Sequence, residues 1–250
     1  MKTSPRTIGV IAAKGGVGQS TLALEWAQSL GRHGQRCLLV EVAGGDLAWM
    51  VGAAPRHFTE DVAAGSIALG DATVRIDDGV DLLATGNAWA VYGPSRASET
   101  EDLLRHIVAS EYEAVVFDLG HASPDTTATI WRACGQLAAI LEDDIASVAR
   151  AYALLRRLNS LGFAEHLSLV FNRMSGKTQI ASLQQRFDQL THRFLGRTWP
   201  RLGTIPDGPK GLRMEAIGVW GQGESPSAQG GETVLRGQII KPAVFADNKG

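Results

Sequence analysis

The sequence predicts an α/β fold with a doubly wound, mostly parallel sheet, and three observations carry that expectation. Short apolar runs without internal alternation recur along the chain, as they do in strands covered on both faces. Amphipathic stretches of helical period separate these runs. A glycine-rich turn, Ala12-Ala13-Lys14-Gly15-Gly16-Val17-Gly18-Gln19-Ser20-Thr21, joins the first run to the first helix, where such sheets bind ligands.

Residues 7–12 read as a buried strand, and residues 21–30 follow as a helix with Leu22, Ala23, Trp26, Ala27 and Leu30 on one face. Gly31 and Gly34 are expected to stop it. Residues 36–42 form the second buried strand. A looser region, 43–93, holds a short helix at 59–64 and a strand at 80–85. Residues 99–110 read as a helix, and 114–119 as an apolar strand that delivers Asp118 to its end. Strands at 137–141, 167–171 and 200–205 alternate with helices at 145–161 and 180–194. From residue 207 onward the texture turns to Gly, Pro and Ser, with a short helical stretch at 232–240. The expected organisation is one domain over 1–220 and a mobile tail over 221–250.

Composition bounds the function. With 250 residues and 44% apolar content, the chain can bury one sizeable core. A net charge of -2 gives no global pull towards nucleic acid or an anionic membrane. Cys37 and Cys134 are too few and too far apart for a disulfide framework or a paired redox or zinc motif, which points to the reducing cytoplasm. The apolar run at 8–13 is too short for a signal-peptide core, and no later run approaches membrane-spanning length, so a soluble protein is expected.

The turn itself suits phosphate. Gly15, Gly16 and Gly18 let the backbone approach an anion, and the following helix aims unpaired amides and its positive dipole end at it. A P-loop reads G-x-x-x-x-G-K-[ST]. Here the first glycine is Ala13 and the lysine is Gln19.

Lys14-Gly15-Gly16-Val17-Gly18-Gln19-Ser20 resembles the deviant Walker A motif, KGGVGK[ST], of the MinD/ParA family of dimerising P-loop ATPases, with Lys14 at the signature lysine. Residues 38–43 look like that family's second strand, usually ending D-x-D, and Val115-Val116-Phe117-Asp118 like its Walker B strand. The stretches 50–55, 61–65 and 77–83 are similar in order to MinD and flagellar-placement ATPases. Residues 169–173 resemble the strand whose terminal asparagine reads adenine, and Ile205-Pro206-Asp207 the last-strand turn. The resemblance spans roughly 7–220 and implies a SIMIBI-type P-loop NTPase fold.

It also implies roles. The amides of Gly15, Gly16, Val17, Gly18, Gln19 and Ser20 would cradle the phosphates of ATP or ADP, with Thr21, Asn172, Arg173 and Pro206 completing the nucleotide contacts. Ser20 and Asp118 would hold Mg²⁺. Lys14 would reach the phosphates of a second copy, its catalytic contribution in trans, making a nucleotide-bridged homodimer.

Two departures argue against efficient hydrolysis. Gln19 exchanges a charge-assisted hydrogen bond of about 1.5–3 kcal/mol for a neutral one of about 1 kcal/mol, a loss on the order of tenfold in phosphate affinity. Ala43 stands where the family carries the aspartate that positions attacking water; Glu41 keeps a carboxylate two residues earlier, and Asp46 lies three residues beyond. The expected function is therefore a nucleotide-bound dimer with weak or absent hydrolysis. It would act as a positioning switch or scaffold, with an unidentified protein partner in a cell-envelope or partition assembly that recruits it to the membrane or a pole.

Two alternatives stay open. One is a working ATPase of the same family. The other is a DNA-associating partition protein using Arg186, Arg193, Arg197, Arg201, Lys210 and Arg213, within residues 186–213. An iron–sulfur reductase is disfavoured by the cysteine positions. Membrane attachment through Val234, Leu235, Ile239 and Ile240 would be weak at best. Blander roles compete for single residues: a cap for Asp118 or Asn172, a solvent-facing loop for His121, and support of a helix N-terminus for Glu142-Asp143-Asp144.

Overall fold

The computed structural model describes residues 4–86, 97–120 and 128–207. In chain order the elements are β1 (Arg6–Ala12), α1 (Gln19–Arg32), β2 (Cys37–Glu41), α2 (Leu47–Met50), α3 (Thr59–Ala63), α4 (Leu69–Ala72), β3 (Val74–Asp77) and β4 (Val80–Leu83). There follow α5 (Ala97–Ala109), β5 (Ala114–Asp118), α6 (Ala128–Ala133), β6 (Gln136–Glu142), α7 (Ile145–Ser160), β7 (Leu167–Met174), α8 (Lys177–Leu195) and β8 (Arg201–Pro206).

Eight strands form one sheet in the order β3-β4-β2-β5-β1-β6-β7-β8. Every pairing is parallel except the β3–β4 hairpin. Alternate residues of the central strands enter two separate cores. Leu38, Val40, Val115, Phe117, Leu169 and Phe171 pack beneath α3, α5, α6, α7 and α8. Ile8, Val10, Leu39, Val116, Ala138 and Val170 pack beneath α1 and α2, around Trp26. Burial on both faces is why these strands read as unbroken apolar runs.

Register assembles the site. β1 lies between β5 and β6, with Val10 opposite Asp118 and Ala12 opposite Ile140. Glu41 on β2 faces Asp118 on β5, and Glu142 on β6 faces Asn172 on β7. Four strand ends and the loop after β1 thus meet at one edge of the sheet.

Within the described residues the expected elements are present, and their bounds shift by up to three residues. The role given to Gly31 needs correction, because it lies inside α1 rather than ending it. A Cβ at Gly31 would come within 2.4 Å of the Asp78 carbonyl oxygen, so glycine there permits α1 to lie against the β3–β4 turn. Gly34, with φ +79°, is where the chain leaves the helix, its N–H donating to the Gly31 carbonyl at 2.8 Å. Sequence reading missed α2, α4, α6 and β3, all of six residues or fewer. The C-terminal tail with its candidate helix, together with His121, Lys210 and Arg213, lies outside the described residues. Among the described residues, no helix is long and apolar enough to cross a membrane.

Candidate nucleotide site

The loop after β1 is pinned from below. Val17 is buried in the core under α1, and its carbonyl accepts the Asn172 carboxamide N–H at 2.7 Å. Gly15 and Gly16 are exposed above it. Gly18 adopts φ +86°, and a Cβ there would meet the Asn172 Nδ2 at 2.8 Å, so the close clamp requires glycine twice over. The Leu22 N–H is the first of α1 to bond back, to the Gly18 carbonyl at 2.9 Å. The amides of Gln19, Ser20 and Thr21 therefore have no acceptor within the helix, which is the arrangement that binds anions.

Gln19 turns away from that opening. It is buried, and its Nε2 donates to Asp118 Oδ1 at 2.6 Å and to the Val10 carbonyl at 3.1 Å. Asp118 also accepts from the Gly120 N–H at 3.2 Å, and the nearby Ser20 hydroxyl favours its ionised form. Burial pushes the Asp118 carboxyl above its ordinary pKa, the Glu41 charge adds to that rise, and Ser20, Gln19 and Gly120 only partly offset it. The Ser20 hydroxyl and the Asp118 carboxylate form a hard-oxygen pair of the kind Mg²⁺ takes alongside phosphate and water. Among the described residues there is no cluster of three or more His, Cys, Asp or Glu that could hold a metal ion.

Glu41 is also buried, but its partners are backbone. Oε1 accepts the N–H groups of Gly45 at 2.9 Å and Leu47 at 3.0 Å, and Oε2 that of Thr85 at 3.2 Å. It ties the loop after β2 to the end of β4. Ala43 is buried and brings a methyl group where the family resemblance implies a carboxylate. Asp46 is exposed just before α2 and makes no side-chain cap there.

Lys14 is held within its own chain. Its Nζ donates to Asp144 Oδ2 at 2.8 Å and lies 3.4 Å from Glu142 Oε2. The Asp144 carboxylate raises the Lys14 pKa, and Lys14 in turn lowers that of Asp144. Asp144 also caps α7 by accepting the Ser147 N–H at 2.9 Å, so the helix-supporting role expected of this acidic junction is present. Glu142 is shared with Arg173, whose Nη1 donates at 2.5 Å, and Arg173 itself has φ +56°. Asn172 Oδ1 accepts the Arg173 N–H at 2.8 Å. Both ends of the Asn172 carboxamide are thus engaged inside the chain, and reading an adenine edge would require it to exchange a partner. Pro206 ends β8 opposite Met174, two residues beyond Asn172, and Thr21 is half-buried in the first turn of α1. Sequence reasoning did not foresee Glu142 and Asp144 as partners of Lys14, because only the β1–β6 pairing brings them together.

Comparison with known proteins now decides the family. The sequence profile of the cellulose biosynthesis protein BcsQ family matches residues 6–200. The chain belongs to this family. Its fold is of the MinD/ParA P-loop type. The antiactivator FleN of Pseudomonas aeruginosa is 22% identical over 205 residues, covering 80% of this chain and 73% of FleN. An iron-sulfur cluster carrier protein of Deinococcus radiodurans is 27% identical over 243 residues, or 91% of this chain and 68% of the carrier. Among solved structures, a ParA family ATPase from Chlorobium tepidum superposes with TM-score 0.66 at 23% identity, over 82% of this chain and 86% of that one. The septum site-determining protein MinD of Pyrococcus horikoshii, complexed with Mg-ADP, gives TM-score 0.62 at 18% identity, over 82% of each chain.

Within this family member the two cysteines are poor cluster ligands. Both are buried; desolvation pushes the Cys37 thiol up to about 12 and the Cys134 thiol further up, so neither offers a ready thiolate. The arginines proposed for DNA are partly engaged. Arg186 pairs with Asp143 at 2.5 Å, Arg197 with Glu165 at 2.7 Å, and Arg193 stacks over Phe194 at 5.2 Å.

Proposed function

We propose that this chain is a nucleotide-responsive homodimer serving a cellulose-producing assembly of the cell envelope, with weak or absent hydrolysis. The observation that carries the reading is Gln19. A side chain that the family resemblance assigns to the phosphates instead donates to Asp118, leaving the loop amides and the Ser20–Asp118 oxygens as the phosphate and Mg²⁺ determinants. Binding needs those amides and the helix dipole, whereas transfer of a phosphoryl group also needs a cation at the developing charge and a positioned water. Ala43 leaves the second of these without its expected carboxylate. The Mg-ADP found with the similarly folded MinD supports ADP or ATP with Mg²⁺ as the ligand.

In this reading Lys14 is the trans contact. A phosphate of the nucleotide held by a second copy would replace Asp144 and Glu142 as its partner. Light scattering of the full chain with Mg-ATP, Mg-ADP or no nucleotide tests the switch: mass should double with ATP and stay monomeric with Lys14→Ala. An unchanged mass under all three conditions contradicts it.

DNA association is the weaker reading, because Arg186 and Arg197 already have carboxylate partners. Salt-dependent retention on duplex DNA, lost on reversing Arg193 and Arg201, would favour it instead.

A further inference from the structure

Helix α7 carries two apolar stripes. One, formed by Ala151, Leu155 and Leu158, faces the core. The other, Ile145, Val148, Ala149 and Tyr152, follows i, i+3, i+4, i+7 spacing; Val148 packs against the edge of the core, and Ile145 and Ala149 are exposed beside it. It forms one wall of an open groove of 430 Å³ whose other wall is Arg186 and Leu190 of α8. The Asp143–Arg186 pair closes one end. At the other, Tyr152 and Phe194 meet edge to face with ring centres 6.2 Å apart.

Ile145 at the mouth is 91% exposed and Phe194 is 59% exposed. Single exposed apolar residues are ordinary, but a continuous stripe ending in two of them marks a contact surface. The charges around it have one sign to offer. Asp143 is neutralised by Arg186 and Asp144 by Lys14. Arg156 continues the Ile145 stripe and Arg193 lies over Phe194, and neither has an ion-pair partner among the described residues.

We propose that the α7–α8 groove docks an amphipathic helix of a partner protein, presenting apolar side chains at i, i+3 or i+4, and i+7 with carboxylates on its flanks. The span from Ile145 to Tyr152 is about 10 Å at 1.5 Å per residue, two helical turns, and the walls are helices with no free strand edge between them. A second copy is a poor occupant: a two-fold interface would set the Arg156 and Arg193 patch against itself.

Selection of helical 18-residue peptides from a display library against the full chain tests this. Enriched peptides should carry the apolar spacing with Asp or Glu beside it, and Ile145→Ser should weaken them about tenfold, a change at a side chain too exposed to disturb folding. Arg193→Glu should weaken acidic-flanked peptides similarly, and Lys-flanked versions should recover the loss. Enrichment of basic or non-helical peptides, or equal binding to Ile145→Ser, overturns the proposal. So does self-association, or retention on phosphatidylserine vesicles, that the same substitution abolishes, since the occupant is then a second copy or a lipid surface.

Discussion

Glu41 and Asp118 stand opposite each other on adjacent parallel strands, equally buried, one residue from the same loop edge, yet they do different work. Glu41 accepts three backbone N–H groups, those of Gly45, Leu47 and Thr85. Asp118 accepts from the Gln19 side chain and from the Gly120 amide, with the Ser20 hydroxyl beside it. Backbone donors are fixed by the fold, so Glu41 is scaffold. A side-chain donor can rotate away, so in the proposed site Asp118 would be the carboxylate free to help hold Mg²⁺. Burial alone does not separate a structural carboxylate from a functional one; the exchangeability of its donors does.

Substitution at Glu41 should give the largest effect. Glu41→Ala leaves three amides unpaired and is expected to lower unfolding free energy by about 3 kcal/mol or more in urea denaturation. A loss below about 1 kcal/mol would break the comparison. Next is Gln19→Lys, which restores a cation beside the phosphates and should tighten ATP about tenfold by calorimetry. Unchanged affinity would mean that Gln19 is not what limits phosphate binding. Asn172→Ala releases the Val17 carbonyl and should cost about 1 kcal/mol of stability, with a matching loss of ADP affinity as the loop loosens.

The smallest effect is a pH dependence at Asp118. Its folded pKa lies above the ordinary 3.8, so its stabilising contribution is complete below about pH 4 and is lost as pH rises through the folded value. Asp118→Asn keeps an acceptor for Gln19 without that loss. Its urea midpoint should therefore gain on the wild type as pH rises from about 4, while Mg²⁺ no longer improves nucleotide binding. A midpoint gap that shrinks with rising pH would reverse the assignment.

The same contrast explains what the sequence made legible. Continuous apolar strands, the glycine turn and the carboxylate ending β5 are local patterns, and each is where reading predicted it. Glu41, seen only as a surviving half of a D-x-D pair, became an anchor because Gly45, Leu47 and Thr85 come from segments whose meeting no local pattern encodes. Lys14 was recognised, but its restraint by Glu142 and Asp144 depends on β6 lying beside β1, a fact of topology. The Asp78-Gly79 turn is the opposite case, a hairpin signal that is local, lying between two four-residue strands.

The central claim is a site that binds nucleotide and does little with it. Calorimetry of Mg-ATP and Mg-ADP on the wild-type chain, followed by phosphate release from the same samples, tests it most directly. The account predicts saturable binding of both nucleotides with phosphate release near background. No binding of either, or steady ATP turnover that Lys14→Ala abolishes, would contradict it.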